Sequence, residues 1–275
     1  LRQAVGGNTY VHDLTCGALA PILNDGVGIA IASDRYATKK PCMSQQILVV
    51  AAHPDDETYG LGGTIAQHVR QGDRVSVLFL TDGVTARHNQ TKMQQKAALA
   101  ACRELGVQDV HFADLPDQGL DKLPLLEIIQ PISLLVKEQR PRVLYTHHRG
   151  DSNQDHRAVF RASLVAVRPF GGNPVERVLC YEVPSSTEWG PPFADWAFLP
   201  NVFVDISDTL EVKQQAVKAY RTTFESEVKP YPHPRSPEAV QINAQQRGIV
   251  VGMRAAEAFV LMRQLIIHAQ GEGVG

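Results

Sequence analysis

Cysteine is scarce in this chain and scattered. Cys16, Cys42, Cys102 and Cys180 form no C-x-x-C pair, which argues against a disulfide framework and a cysteine-built zinc site. Excess charge of either sign is also missing. With 27 Lys and Arg against 29 Asp and Glu, the net charge is −2, so there is no electrostatic footprint for nucleic acid or an anionic membrane surface. No apolar run approaches the ~20 residues of a membrane-spanning helix; the longest, 47–52 and 75–80, have strand length. A secretory signal is lacking too, because Arg2 is the only early cation and no continuous apolar core follows it. Hydrophobic residues at 44% and charged residues at 20% are ordinary globular usage, which argues against wholesale disorder. These absences predict a cytoplasmic protein with one sizeable core, and they leave a homo-oligomer open. What the chain does have is ten histidines, unevenly placed.

Residues 1–42 carry Gly6-Gly7, Gly17, Gly26 and Gly28 with no sustained amphipathic period. The texture changes at Met43, so the folded domain is expected over 43–270, with 1–42 a loosely attached extension or an upstream translated segment. From there short apolar runs alternate with amphipathic stretches. Strands are expected at 47–52, 75–81, 110–112 and 143–146. Helices are expected at 63–71, 91–105, 123–139 (kinked or split by Pro131) and 157–167. Alternation of this kind predicts an α/β fold, a Rossmann-like, mainly parallel sheet with helices on both faces. Beyond Pro169 the pattern predicts strands at 175–183 and 202–206, a helix at 210–222, and a long terminal helix over 238–265 broken near Gly248 or Gly252. The proline-rich run 229–237 reads as a structured loop lying over something.

The first strand ends in Ala52-His53-Pro54-Asp55-Asp56-Glu57. In an open parallel sheet, ligands bind beyond the carboxyl ends of the strands. Three acids and an imidazole there are costly to bury unless a cation neutralises them. Histidine and carboxylate together suit zinc, which in catalytic sites takes three protein ligands. The strand at 143–146 opens into His147-His148-Arg149-Gly150-Asp151-Ser152-Asn153-Gln154-Asp155-His156, a second histidine-bearing loop of the same kind. An acidic loop that merely caps the following helix is the bland alternative, and spacing alone leaves the two readings level. His68, His88, His111 and His268 are read as ordinary hydrogen-bonded residues.

The hexapeptide at 52–57, followed by Gly62-Gly63 and paired with Asp155-His156-Arg157, resembles the signature of the PIG-L/LmbE-like zinc-dependent deacetylases, the N-acetylglucosamine deacetylase family. Thr81-Asp82-Gly83, Leu105-Gly106-Val107, Leu115-Pro116-Asp117 and Ala255-Ala256-Glu257-Ala258-Phe259 extend the resemblance more weakly. It implies an LmbE-like fold in which His53, Asp56 and His156 hold one Zn2+, with Asp55 as the general base that takes a proton from the attacking water. A His₂Asp set also accepts other divalent metals. Asp155 would stand behind the ligands and orient a histidine. The implied reaction is hydrolysis of the acetamide of an N-acetylated amino sugar or its conjugate, releasing acetate and an amine.

One position departs from the family pattern. Well-studied members carry a histidine three places before the second metal-binding one, where this chain has Asn153. Asparagine can donate a hydrogen bond to an oxyanion but cannot shuttle a proton. His233, between Pro232 and Pro234, is therefore the first candidate to protonate the leaving amine, with His147 or His148 as the alternative. Asp117 is expected to accept from a sugar hydroxyl, and Arg87 and Trp189 to line the cleft, unless Trp189 is simply core. Three rivals are weighed. A dinucleotide-binding reading of Gly60-Leu61-Gly62-Gly63 fails on spacing and on the acids beside it. A catalytically silent sugar-binding protein on the same fold, or a hydrolase of another amide, stays open.

Overall fold

The computed structural model describes residues 44–84, 90–221 and 226–266. The expected extension 1–42, Arg87 and His88 lie outside the described residues, as do His268 and the end of the expected domain. In chain order, β1 (Gln46–Ala51), α1 (Asp56–Arg70), β2 (Arg74–Thr81), α2 (Thr91–Glu104) and β3 (Asp109–Leu115) come first. They are followed by α3 (Leu125–Gln139), β4 (Val143–His147), α4 (Gln154–Ala166) and β5 (Arg177–Tyr181). The last elements are β6 (Val202–Asp205), α5 (Leu210–Ala219), α6 (Pro237–Val251) and β7 (Ala256–Gln264).

The strands form one seven-stranded sheet in the order β3-β2-β1-β4-β5-β7-β6. The first five run parallel, and β7 pairs antiparallel with both β5 and β6. This is the α/β class expected, mostly parallel and covered by helices on both faces. The covering explains why β1 is an unbroken apolar run rather than an alternating one. Ile47, Val49 and Ala51 pack with Tyr59, Leu61, Ile65, Ala98 and Val217 under α1, α2 and α5. Leu48, Val50 and Ala52 face the other way, onto Ile128, Ile132, Val159 and Ala162 of α3 and α4. Cys102 and Cys180 are both fully buried thiols. No helix among the described residues is long and apolar enough to cross a membrane.

The structure corrects three expected elements. The first helix begins at Asp56, well before residue 63, and is interrupted at Leu61 (φ −147°, ψ 25°). Polar groups freed by the interruption are met from outside. The Lys213 ammonium donates to Tyr59 O at 2.9 Å and pairs with Glu257 Oε1 at 2.6 Å. Glu257 in turn accepts from the backbone N–H groups of Gly63 and Thr64, at 3.0 and 2.6 Å. The glycines here are packing residues, since a Cβ on Gly60 would meet the Tyr181 ring and one on Gly63 would meet Ile206. Pro131 does not split α3, which runs unbroken through it. Most plainly, the expected helix over 238–265 stops at Gly252, in left-handed conformation (φ 74°). Residues 256–264 instead form β7, because the otherwise open edge of β5 offers them a ladder.

Strand order reverses direction of growth between β1 and β4. The crevice at their carboxyl ends is where such a sheet binds ligands. The loop 52–55 leaves β1 there, and the loop 148–153 leaves β4 beside it.

Candidate active site

Local sequence fixes the first loop tightly. Thr81 Oγ1, at the end of β2, donates to Ala52 O at 2.8 Å and accepts from the Gly83 N–H at 3.2 Å. A Cβ on Gly83 (φ 69°) would stand 2.7 Å from Pro54 Cδ, so only glycine lets this floor close under the loop. Asp55 itself sits at φ 137°, ψ −27°, a region where L-residues are strained unless their surroundings hold them. Its N–H donates to Glu57 Oε2 at 3.1 Å. Glu57 is fully buried and accepts from Tyr220 Oη at 2.7 Å and Thr58 Oγ1 at 2.5 Å. Burial pushes the Glu57 carboxyl up to about 7 against those hydrogen bonds.

Three potential ligand residues converge at the carboxyl ends of β1 and β4. His53 Nδ1 lies 3.2 Å from His156 Nε2. Asp56 reaches the same point, with Oδ2 3.3 Å from His53 Nδ1 and Oδ1 3.4 Å from His156 Nε2. Ligands at about 2.0–2.1 Å from a tetrahedral zinc stand about 3.3–3.4 Å from one another, so these separations fit such an ion. Asp56 Oδ1 is buried with no hydrogen-bond partner, the state expected of an atom kept for a cation. Electrostatics agree. Although burial opposes it, Asp56 and Asp151 raise the His156 imidazole to about 9, so the carboxylates around this ring favour positive charge.

Both imidazoles are gripped on their far nitrogens by carboxylates, as metal-binding histidines usually are. Asp155 Oδ2 lies 3.2 Å from His53 Nε2, and its Oδ1 accepts from the Leu120 N–H at 3.1 Å. Asp151 Oδ2 lies 3.1 Å from His156 Nδ1, and Asp151 is fixed by Thr187 Oγ1 at 2.6 Å and by Ser186 Oγ. His147 forms the rear wall, its ring stacked on His156 at 3.9 Å between centroids. Its Nε2 accepts the Ala52 N–H at 2.9 Å.

The cluster opens into a cavity of about 240 Å³ lined by His53, Pro54, Asp55, Gly83, Asp117, Gln118, Asn153, Glu227 and Arg235. Burial pushes the Asp55 carboxyl well above its ordinary range, with the Arg235 guanidinium pulling the other way. Asn153 caps α4, its side-chain oxygen accepting from the Asp155 N–H at 2.9 Å; its NH2 is the part left for a ligand. Asp117 Oδ1 stands 3.4 Å from His53 Nε2.

The structure thus brings together His53, Asp55, Asp56, Asp117, Asn153, Asp155 and His156. Of the others expected there, His233, Trp189, His147 and His148 are not among the residues lining the cavity, and Arg87 lies outside the described residues. His233 is absent from the cavity lining; its Nδ1 accepts from the Arg235 N–H at 3.0 Å and its ring meets Trp189 edge-on. Trp189 is 59% exposed, neither in the cavity nor in the core. His147 is sealed at 0% exposure, and His148 Nδ1 accepts from the Gly150 N–H while its ring packs on Phe198. Sequence reasoning missed Arg235, Glu227 and the role of Asp151. The run 229–237 did mark the loop that crosses the site, but the side chain it delivers is Arg235.

A family model described as GlcNAc-PI de-N-acetylase, PIG-L, matches residues 48–167. The Escherichia coli (strain K12) protein named uncharacterized deacetylase YaiS is 30% identical over 191 residues, which are 64% of this chain and 90% of that protein. The chain belongs to the PIG-L family. Its matched region holds the whole His53, Asp56 and His156 cluster, whereas Glu227 and Arg235 lie beyond it. The diacetylchitobiose deacetylase of Thermococcus kodakarensis is 29% identical over 197 residues, 67% of this PIG-L chain and 72% of the relative. Among solved structures, the conserved protein TT1542 from Thermus thermophilus superposes with a TM-score of 0.65 at 28% identity. The match covers 83% of this chain and 100% of that one.

Proposed function

We propose that this PIG-L protein is a metal-dependent N-deacetylase, with zinc as its metal, acting on an N-acetylated amino sugar or its small-molecule conjugate. One observation carries the reading: two imidazole nitrogens and a carboxylate at mutual distances of 3.2–3.4 Å stand beside a second carboxylate, Asp55, that lines an open cavity. The names borne by the relatives support the same chemistry, since YaiS and the Thermococcus protein are both called deacetylases.

His53, Asp56 and His156 would hold the metal, which when bound supplies Lewis acidity toward water and an acetamide carbonyl. Asp55 takes the proton from the attacking water. Asp55 would return that proton to the departing nitrogen, and the acid proton of the acetic acid so formed passes to the freed amine, so the products are acetate and a protonated amine. This replaces His233, which does not line the cavity. Asn153 donates from its NH2 to the charge that develops on the carbonyl oxygen, and Asp117 receives a sugar hydroxyl.

Acetate release is measured across N-acetylhexosamine conjugates, with and without chelator. Turnover that chelation abolishes and zinc restores is expected. Asp55→Ala should abolish turnover while the metal stays bound; loss of metal in that variant would mean that the two aspartates have exchanged roles. Stoichiometric zinc with no turnover of any N-acetyl sugar would favour the silent sugar-binding protein.

A further inference from the structure

Asp55 is the one residue of its loop whose backbone conformation is unfavourable, at φ 137°. Such a residue keeps its geometry only where contacts over-determine it. The N–H of Asp55 is held from inside by Glu57. Its carboxylate is held by a residue 180 positions away: Arg235 Nη1 donates to Asp55 Oδ2 at 2.7 Å. The same Nη1 donates to Glu227 Oε2, also at 2.7 Å, and Nε donates to Ser185 Oγ at 2.7 Å. The guanidinium lies over the Tyr59 ring, 5.5 Å from its centroid. Tyr59 Oη shares its hydrogen bond between the carbonyl oxygens of Glu227 and Arg235, at 3.2 Å each.

Arg235 is therefore held by Glu227, Ser185 and the Tyr59 ring besides Asp55. The next residue, Ser236, caps α6 by accepting from the Ala239 N–H at 3.0 Å, with Pro237 in the first turn, so the helix start fixes where the arginine stands. Two carboxylates share one guanidinium, and of the two it is Asp55 that stands in the same loop as the candidate ligands His53 and Asp56. Glu227 accepts from the same Nη1 and so holds the guanidinium from a second side.

We propose that Arg235, braced by Glu227, is a positioning residue that aims the Asp55 carboxylate at the reacting centre. The inference rests on the deacetylase reading for its kinetic consequence, but not for its structural one. A misplacement of about 1 Å in a catalytic group can cost on the order of 100-fold in rate. Arg235→Ala is thus expected to lose about 100-fold in kcat, with KM changed by less than about threefold. Its zinc stoichiometry should match that of the unaltered protein. Added guanidinium should restore turnover in proportion to its concentration, and Glu227→Gln should lower kcat less than Arg235→Ala does. The crystal structure of the zinc-loaded Arg235→Ala protein should have the Asp55 carboxylate displaced or in several rotamers, with His53, Asp56 and His156 unmoved.

Turnover within about threefold of the unaltered protein, or a loss that guanidinium leaves untouched in a variant with full zinc and native melting, would overturn the proposal. An unmoved Asp55 carboxylate in that crystal structure would overturn it independently of any activity. If the unaltered protein hydrolyses no N-acetyl sugar, the functional reading fails and the crystallographic result alone decides the role of Arg235.

Discussion

His53 Nδ1 and His156 Nε2 stand 3.2 Å apart, each also within 3.4 Å of an Asp56 oxygen. Both nitrogens belong to buried rings whose opposite nitrogens already face carboxylates, so this pair is turned inward by construction. Asp56→Ala and His156→Ala are accordingly expected to lose stoichiometric zinc after dialysis, as read by elemental analysis. Asp55→Ala, which removes a carboxylate from the cavity and none from the ligand set, should retain it.

The carboxylates behind the ligands carry a graded expectation. Removal of such a partner typically lowers metal affinity by about 10–100-fold. Asp155→Asn and Asp151→Asn should each fall in that range in a competition titration with a chromogenic chelator. Asp151 has the additional task of holding Ser186 and Thr187, so its variant should also melt at lower temperature. Equal zinc affinity in both variants and the unaltered protein would mean that the outer carboxylates do not orient the rings.

Much of this site is legible in the sequence for a physical reason. The metal cluster comes from two loops that each follow a buried apolar strand, so periodicity locates the strands and the sheet rule locates the loops. Asp155 and Asp151 lie within the second loop and travel with it. Arg235 and Glu227 are another matter: Arg235 meets Asp55 only through tertiary folding across 180 residues, Glu227 joins it through the arginine, and no local pattern ties them to the loop. The proline-rich run draws attention to the loop, yet histidine at 233 attracts the chemistry that the arginine actually delivers. Trp189 shows the same limit, since an exposed tryptophan on a short turn has no signature distinct from a core one. The β7 segment reads as helix because Ala255-Ala256-Glu257-Ala258 is a run of strong helix formers. A free strand edge on β5 outweighs that preference.

His68 provides a pH test away from the metal. Its Nδ1 lies 2.7 Å from Asp73 Oδ2 and its Nε2 2.9 Å from Tyr145 Oη, an arrangement that satisfies the neutral ring with Nδ1–H donating and Nε2 accepting. Burial holds its pKa below the ordinary 6.5, although Asp73 pulls upward. The unfolded chain therefore binds the proton first as pH falls through 6.5, and stability drops across the interval down to the folded pKa. Above 6.5 both states are neutral and the contribution is flat. Urea unfolding at several pH values should show that acid-side slope, and His68→Gln should flatten it. An identical slope in the variant would assign it to other groups.

The interruption of α1 depends on one buried ion pair. Lys213 and Glu257 are each 4% exposed and stand 2.6 Å apart, and between them they meet a carbonyl on one side of Leu61 and two N–H groups on the other. Removing one member of a buried pair typically costs about 3–5 kcal/mol, because the remaining charge is left uncompensated. Lys213→Met should fall in that range by urea unfolding. Glu257→Ala should cost more, because it also strands the N–H groups of Gly63 and Thr64, each worth about 1–3 kcal/mol when buried unpaired. Introducing Met at 213 and Gln at 257 together removes both charges and retains an acceptor for one N–H. That double variant should be more stable than Glu257→Ala, and its zinc content should be normal, because neither residue touches the cluster.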